Sequence, residues 1–107
     1  MAVYGHIGFV GLMRTKIKED IKKWQEVFAK DGYSQHWVHT DKAGYFYAMH
    51  NHPIDTAYVV LTGSMGVEVD GEMRVFNAGE RFDAPKHVFH SAKIGPKGCT
   101  FLIGVRV

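Results

Sequence analysis

From Tyr33 to Val107, apolar and polar residues alternate with a period of two, and turn-forming residues interrupt the alternation every few positions. Period two is typical of a strand whose two faces meet different surroundings. The pattern predicts eight strands, at Ser34–Thr40, Tyr45–His50, Thr56–Leu61, Ser64–Val69, Glu72–Phe76, Arg81–Ala84, Phe89–Ile94 and Cys99–Val107. Many short strands with no helix between them indicate a sandwich or a barrel, so we expect an all-β fold.

The segments between these strands have the composition of turns. Asp70-Gly71 predicts a two-residue hairpin, because both central positions of such a turn require positive φ and these two residue types tolerate it. Further turns are indicated at Asp41–Gly44, Thr62–Gly63, Asn77–Gly79 and Gly95–Gly98. No linker and no repeat of solenoid period divides the chain.

The segment before the strands carries one clear helical pattern. Apolar residues recur there at intervals of four, three and four, on one helical face: Ile17, Ile21, Trp24 and Phe28. We predict a helix over about residues 15–31, with Thr15 as its N-cap and Gly32 as its C-terminal stop. The opposite face is rich in Lys and Glu and is interpreted as solvated surface, with a basic membrane-surface helix as the alternative.

Size and charge limit what the chain can be. With 107 residues, 46% of them hydrophobic, it has enough apolar surface for one core, so we predict a single domain with the barrel at about residues 33–107. A formal net charge of +2 is too small to indicate a nucleic-acid partner. The lone Cys99 fits a reducing compartment, so a cytoplasmic location is expected. Ala2–Met13 has the features of neither a signal peptide nor a membrane span.

The strand predicted at Tyr45–His50 is apolar on both faces. Phe46 shares the parity of His50 and His52, whereas Tyr45 and Tyr47 have the opposite parity. Both faces therefore need a cover. One set would line the barrel interior, and the other would lie under the helix or a second subunit, so a homodimer is expected.

His50 and His52 are the first candidates for a functional site. Residues two apart on a strand point to the same side, about 7 Å apart, so two imidazoles can approach one metal ion. Imidazole nitrogen is a normal ligand for zinc, copper, iron and nickel. A pair alone is an incomplete coordination shell, and ordinary surface or hydrogen-bonded histidines give the same pattern. A third ligand is therefore needed before a metal site is indicated.

A longer pattern surrounds this pair. Gly44 is followed by five residues, His50, one residue and His52, and then by three residues, Thr56, six residues and Gly63. After fifteen further residues, a second pattern begins.

The second pattern supplies the third histidine. Gly79 is followed by five residues and Pro85, and His90 comes five positions after that proline. In this order and at this separation, the two patterns resemble the two motifs of the cupin superfamily, and the short link between them is similar to that of small single-domain members. The chain departs from the cupin pattern at three places: Thr56 replaces Glu, His87 replaces Gly and Ile94 replaces Asn.

The resemblance implies a double-stranded β-helix, the jelly-roll barrel, in which the two motifs form facing hairpins. It also implies that His50, His52 and His90 bind a divalent transition metal such as zinc, iron, nickel or copper. Thr56 is a poor neutral ligand in place of the usual glutamate. Asp55 is adjacent, and it can replace that ligand only if a bulge turns it inward.

Other residues are candidates for the surroundings of this centre. Phe46, Tyr58 and Val60 share the inward parity and would line an apolar cavity, or would simply be core. His87 precedes the His90 strand and is either a general acid or base, a hydrogen-bonding partner of a ligand, or an exposed turn residue.

The remaining candidates are weaker. His36 and His39 have opposite parity on one strand, so at most one of them faces inward. Cys99 begins an apolar strand and is interpreted as a small buried hydrophobe.

Three functions stay open. The first is a metal-dependent enzyme, dioxygenase- or isomerase-like, that acts on a small organic molecule through a three-His centre. The second is a non-catalytic small-molecule-binding or sensory cupin with a degenerate metal site. The intact histidine set favours the first, and the missing glutamate favours the second. The third is an interaction protein that uses its basic helix.

Overall fold

The computed structural model of the protein describes the backbone of residues 2–107 and the side chains of residues 15–107. The described residues form one helix followed by six strands: α1 Ala2–Lys30, β1 Gln35–Asp41, β2 Phe46–His50, β3 Thr56–Val69, β4 Glu72–Asn77, β5 Arg81–Ala84 and β6 His90–Val105. Within the described part of the chain, no helix combines the length and the apolar character that crossing a membrane requires.

Two long strands, β3 and β6, organise the sheet. They pair antiparallel from Thr56 opposite Val105 to Glu68 opposite Ser91. The first half of β3 also pairs with β5, and its second half pairs with β4. Likewise, the first half of β6 pairs with β2 and its second half with β1. The result is a first sheet in the order β1-β6-β3-β5 and a second sheet in the order β2-β6-β3-β4, which is a jelly-roll arrangement.

The eight predicted strand segments are present, but two predicted turns are wrong. Thr62-Gly63 and Gly95–Gly98 lie inside the continuous strands β3 and β6. The register between these strands shifts between Val60 and Thr62 and again between Gly63 and Met65. Gly63 and Gly98 have φ of +79° and +77°. These glycines therefore mark bulges that bend the long strands from one sheet into the other.

The predicted hairpin at Asp70-Gly71 is confirmed. Asp70 has φ of +52° and Gly71 has φ of +81°, and they join β3 to β4. Positive φ at both central residues is what a two-residue turn of type I′ requires.

The predicted start of the helix is wrong, whereas its end is confirmed. α1 begins at Ala2, so Thr15 lies within the helix and is not its N-cap. Glycine lowers helix propensity without excluding a helix, and no proline interrupts Ala2–Arg14. At the other end, Gly32 has φ of +90°, and the amide N–H groups of Gly32 and Tyr33 donate to the carbonyls of Ala29 and Phe28. This is the Schellman pattern that ends a helix.

Two apolar clusters lie on opposite faces of the first sheet. Alternation along β3 sends Val60 into the barrel interior and Val59 to the outer face, where Phe28 of α1 covers it. The interior cluster comprises Val60, Met65, Val67, Phe76, Ala92, Ile94, Cys99 and Phe101. The outer cluster comprises Phe28, Tyr33, Ala57, Val59, Leu61 and Leu102, with Ile21 and Trp24 packed against it.

Cys99 is a buried member of the interior cluster. Burial is the main reason that the pKa of its thiol is raised to about 11. A thiol with a raised pKa stays protonated near neutrality and is a weak nucleophile. This agrees with the interpretation of Cys99 as a small hydrophobe.

Gly104→Ala should destabilise the protein, because α1 packs closely on β6 at this position. An added Cβ would lie 2.6 Å from Cδ2 of the fully buried Phe28, so the helix or the ring must shift. We expect the free energy of unfolding to fall by about 1–3 kcal/mol, the usual cost of overpacking. Chemical denaturation of the wild type and the variant measures this change.

Gly66→Ala is the matched control. A Cβ there would meet the Sδ atom of Met73 at 3.3 Å, and that side chain is 60% exposed and can move aside. We expect unchanged stability, or a gain of up to about 1 kcal/mol from the loss of a strand glycine. Equal destabilisation by both substitutions would contradict the packing of Phe28 against Gly104.

Candidate metal centre and ligand cavity

The fold brings three histidines together. His50 ends β2, His52 follows it in the next loop, and His90 begins β6 directly opposite His50. The ring centroids lie 4.4 Å apart for His50 and His90, 4.8 Å for His50 and His52, and 5.2 Å for His52 and His90. One ring nitrogen of each histidine lies within 4.8 Å of those of the other two.

Hydrogen bonds fix the tautomers of two of these rings. Nδ1 of His50 lies 2.7 Å from the carbonyl oxygen of Ala48, and Nδ1 of His90 lies 3.2 Å from that of Val88. A carbonyl oxygen only accepts, so both Nδ1 atoms carry hydrogen when the rings are neutral, and each Nε2 keeps its lone pair. A metal-binding histidine commonly donates its other N–H in this way.

Electrostatics favours the neutral form of two of the rings. Desolvation is the main cause that lowers the pKa of His52 and of His90. The other two imidazoles lower the pKa of His52 further. For His90, the hydrogen bond to the Val88 carbonyl opposes the shift and His50 adds to it. Neutral imidazole is the form that binds metal. Burial, tautomer and protonation of this donor set thus fit a divalent metal ion that accepts nitrogen ligands.

The three histidines open onto a cavity of about 260 Å³ inside the barrel. Aromatic side chains form much of its wall: Trp37, Tyr47, Tyr58, Phe82 and Phe101. The hydroxyl oxygen of Tyr58 lies 3.4 Å from Nε2 of His52, so the structure places Tyr58 beside the histidines. No Lys, Arg, Asp or Glu lines this cavity in the part of the chain whose side chains are described.

Phe46 was predicted to line the cavity, and this is wrong. Its side chain is 60% exposed on the outer face of the second sheet. The register between β2 and β6 passes from Tyr47 opposite Ala92 to His50 opposite His90, so β2 advances three residues while β6 advances two. The extra residue is a bulge that reverses the parity, and Tyr47 faces the cavity instead.

Asp55 does not replace the missing glutamate. Its carboxylate accepts from the backbone N–H of Lys86 at 2.8 Å and from the Arg106 guanidinium at 2.7 Å. The Lys86 hydrogen bond is the main cause that lowers the pKa of Asp55. Thr56 is buried and donates its hydroxyl to the carbonyl of Ile54. Among the described side chains, the three-His group therefore has no carboxylate member.

His87 contributes through its backbone. Residues 85–88 form a turn in which Val88 N–H donates to the Pro85 carbonyl, and His87 has φ of +69°. Its N–H donates to the carbonyl of His52 at 2.8 Å. This hydrogen bond holds the loop that carries His52, one of the three candidate metal ligands. The imidazole is exposed and is absent from the cavity wall, so the interpretation of His87 as a turn residue is confirmed.

The parity argument for β1 is also confirmed. His39 lines the cavity, whereas His36 lies on the other face against the ring of Phe28. Val60 is buried in the interior cluster and is not part of the cavity wall.

Sequence reasoning missed the group formed by Asp41, Tyr47 and His39. The Asp41 carboxylate accepts from the Tyr47 hydroxyl at one oxygen and contacts Nε2 of His39 at 2.8 Å at the other. The sequence held part of the signal, because His39 and Asp41 are two residues apart on one strand and therefore share a face. It did not show whether that face points into the barrel. The register does, because it pairs them with Phe101 and Cys99 of the interior cluster.

The fold recurs among solved structures, although no protein-family model and no protein of curated function matches the chain. An RmlC-like cupin from Shewanella frigidimarina is 27% identical, with a TM-score of 0.60 over 68% of this chain and 66% of its own. KdgF from Halomonas sp. is 26% identical, with a TM-score of 0.59 over 67% of each chain. DMSP lyase DddQ from Ruegeria pomeroyi is 23% identical, with a TM-score of 0.62 over 67% of this chain and 37% of its own.

These neighbours confirm the cupin resemblance. The chain has the fold of a small jelly-roll cupin. The match spans about two thirds of the length of the first two neighbours and little more than a third of the DMSP lyase, whose likeness shows the shared fold only.

His87→Gly should stabilise the protein. A non-glycine residue with this positive φ costs about 1–2 kcal/mol, and part of the gain is offset because glycine adds freedom to the unfolded chain. We expect the free energy of unfolding to rise by about 0.5–1 kcal/mol. His87→Ala, which keeps the Cβ and removes the imidazole, should give no gain. Equal effects of the two substitutions in chemical denaturation would mean that the backbone conformation is not the cause.

Proposed function

We propose that the protein holds a divalent transition metal ion through His50, His52 and His90 and acts as a metal-dependent enzyme, dioxygenase- or isomerase-like, on a small organic molecule. The observation that carries this proposal is the convergence of three half-buried or buried imidazoles in the wall of an apolar cavity. Three protein ligands with positions left for water or substrate are the usual composition of a catalytic metal site.

The donor set favours certain metals. Three neutral nitrogen ligands with no carboxylate suit zinc, iron, nickel or copper better than oxygen-preferring ions such as magnesium or calcium. When bound, such an ion supplies Lewis-acid polarisation of a substrate oxygen or lowers the pKa of a bound water.

The chain itself supplies orientation and apolar surroundings. The carbonyls of Ala48 and Val88 hold the rings of His50 and His90 by their Nδ1–H groups. Aromatic side chains line the cavity beside the centre, and Tyr58 places a hydroxyl beside His52. The pKa of Tyr58 is raised to about 12 by burial, so this hydroxyl keeps its proton near neutrality and serves as a hydrogen-bond donor.

A second candidate function rests on the missing carboxylate. Thr56 and Asp55 are both engaged elsewhere, which weakens the centre relative to a set of three histidines and one glutamate. A non-catalytic cupin that binds or senses a small molecule needs the cavity but not a tightly held metal.

One solved neighbour of this fold is named as a lyase, which supports the enzymatic alternative by analogy of fold alone.

A homodimer remains our prediction. The helix covers the outer face of the first sheet, whereas the outer face of the second sheet leaves Phe46, Met73 and Val75 more than half exposed. Exposed apolar side chains that lie together are typical of subunit contacts.

Metal analysis tests the proposed function directly. Protein purified without a histidine tag should contain about one equivalent of a transition metal, and the single substitutions His50→Ala, His52→Ala and His90→Ala should remove most of it. Adding the metal at about 100 times its Kd should raise the free energy of unfolding of the wild type by about 2.7 kcal/mol, with no such rise in the variants.

His87→Ala is the matched control, because this imidazole is exposed and lies outside the cavity. It should keep both the metal and the metal-dependent stabilisation. Metal that stays bound in all three site variants would refute the centre. A wild type that binds no metal, but still binds small molecules in the cavity, would favour the non-catalytic alternative.

A further inference from the structure

A second polar group lies beside the cavity, formed by Asp41, Tyr47 and His39; we refer to it as the Asp41 group. Asp41 and His39 come from β1, and Tyr47 comes from the bulged strand β2. The rings of Tyr47 and His39 line the cavity, and the Asp41 carboxylate lies behind them with 10% of its side chain exposed. The Tyr47 ring centroid is 6.4 Å from that of His50, so a small molecule can contact both the phenol and the three-His centre.

The direction of the hydrogen bonds in this group is determined by its chemistry. An ionised carboxylate only accepts, so both the Tyr47 hydroxyl and the His39 Nε2–H donate to Asp41. A phenol has one proton. With that proton directed to Asp41, Tyr47 presents only oxygen lone pairs to a ligand. Burial, followed by the hydrogen bond to Asp41, raises the pKa of Tyr47, so the proton is retained over the physiological range.

The charge of Asp41 also favours a ligand that donates a hydrogen bond. The cavity wall contains no Lys or Arg among the side chains that the structure describes, so on the cavity side the Asp41 carboxylate is paired with the His39 imidazole and with neither of these permanently charged residue types. A carboxylate or phosphate beside Tyr47 would meet a negative charge and a hydroxyl whose proton already binds Asp41. An ammonium group there would meet an acceptor and a favourable charge in a cavity that Trp37 also lines.

We propose that Tyr47, positioned by Asp41, determines ligand specificity by selecting a small neutral or cationic molecule that carries a hydroxyl or ammonium donor and binds in the cavity beside the three histidines. Tyr47 contacts the ligand, and Asp41 is a positioning residue that acts through it. The inference rests on the proposed function only in taking this cavity as the ligand site, since it requires no metal.

The test uses three aromatic probes that differ in one substituent: benzylamine, benzyl alcohol and benzoate. They are titrated into metal-free protein, and the NMR signal of the Trp37 indole N–H reports binding, because Trp37 lines the cavity. We expect the wild type to bind benzylamine about tenfold more tightly than benzoate, as one charge-assisted hydrogen bond implies. Benzyl alcohol should be intermediate.

Two substitutions separate charge from acceptor. Asp41→Asn removes the charge and should reduce the preference for benzylamine over benzoate to about twofold or less. Tyr47→Phe keeps the charge and removes the acceptor, so it should weaken benzyl alcohol relative to the wild type. Asp70→Asn, the same change of charge at the exposed β3–β4 hairpin, should leave the preference unchanged.

The outcomes are decisive for this proposal and separate from the metal analysis. An unchanged preference in Asp41→Asn, tighter binding of benzoate by the wild type, or no shift of the Trp37 signal with any probe would overturn it. If Asp41→Asn does not fold, the benzyl alcohol result with Tyr47→Phe decides. Because every titration is metal-free, failure of the three-His centre to bind metal leaves the result interpretable.

Discussion

The pairing of β3 with β6 is the constraint on which the rest of the structure depends. These two strands belong to both sheets, so neither sheet can form its core without them. They bend where Gly63 lies opposite Cys99, and a Cβ at Gly63 would lie 2.0 Å from the carbonyl oxygen of Gly98. Only glycine permits that approach. The same pairing sets the start of β6, and therefore places His90 opposite His50.

The contacts on the outer face of the first sheet explain why Asp55 does not face the three histidines. Arg81 lies over the ring of Phe28 and donates to Asp31, so it ties the end of α1 to β5. Arg106 lies over the ring of Tyr33 and donates both to Asp55 and to the carbonyl of Asp31. Asp55 thus helps to hold the helix on the sheet. Turning it inward as a metal ligand would break this contact and leave the guanidinium of Arg106 without its carboxylate.

The sequence predicted what depends on local pattern. The strand segments, the Asp70-Gly71 hairpin and the three histidines were found because alternation, turn composition and motif spacing are all visible over short stretches. Thr62-Gly63 was misinterpreted as a turn because a glycine with positive φ occurs both in turns and in bulges, and the sequence does not distinguish the two. The helix start was missed because the prediction rested on the apolar spacing from Ile17 to Phe28, which does not show how far α1 extends toward Ala2.

The prediction of which face of β2 carries Phe46 and which carries Tyr47 was wrong for a different reason. A single extra residue in β2 reverses every later side chain, and nothing in the alternation of that strand reveals where the extra residue lies. The Asp41 group depends on this reversal and on the register of β1 against β6, both of which are long-range features. Sequence alone therefore located the metal-ligand candidates but not the Asp41 group beside them.

The three-His group and the Asp41 group differ in charge. Three neutral imidazoles would leave the full charge of a bound dication uncompensated, whereas the Asp41 carboxylate accepts from the hydroxyl of Tyr47, whose ring centroid is 6.4 Å from that of His50. A ligand with an electron-rich oxygen and a hydrogen-bond donor would be oriented by both groups at once. The three-His group thus lacks a carboxylate among its own members, but a negative charge lies beside it, behind Tyr47, where it can discriminate between ligands.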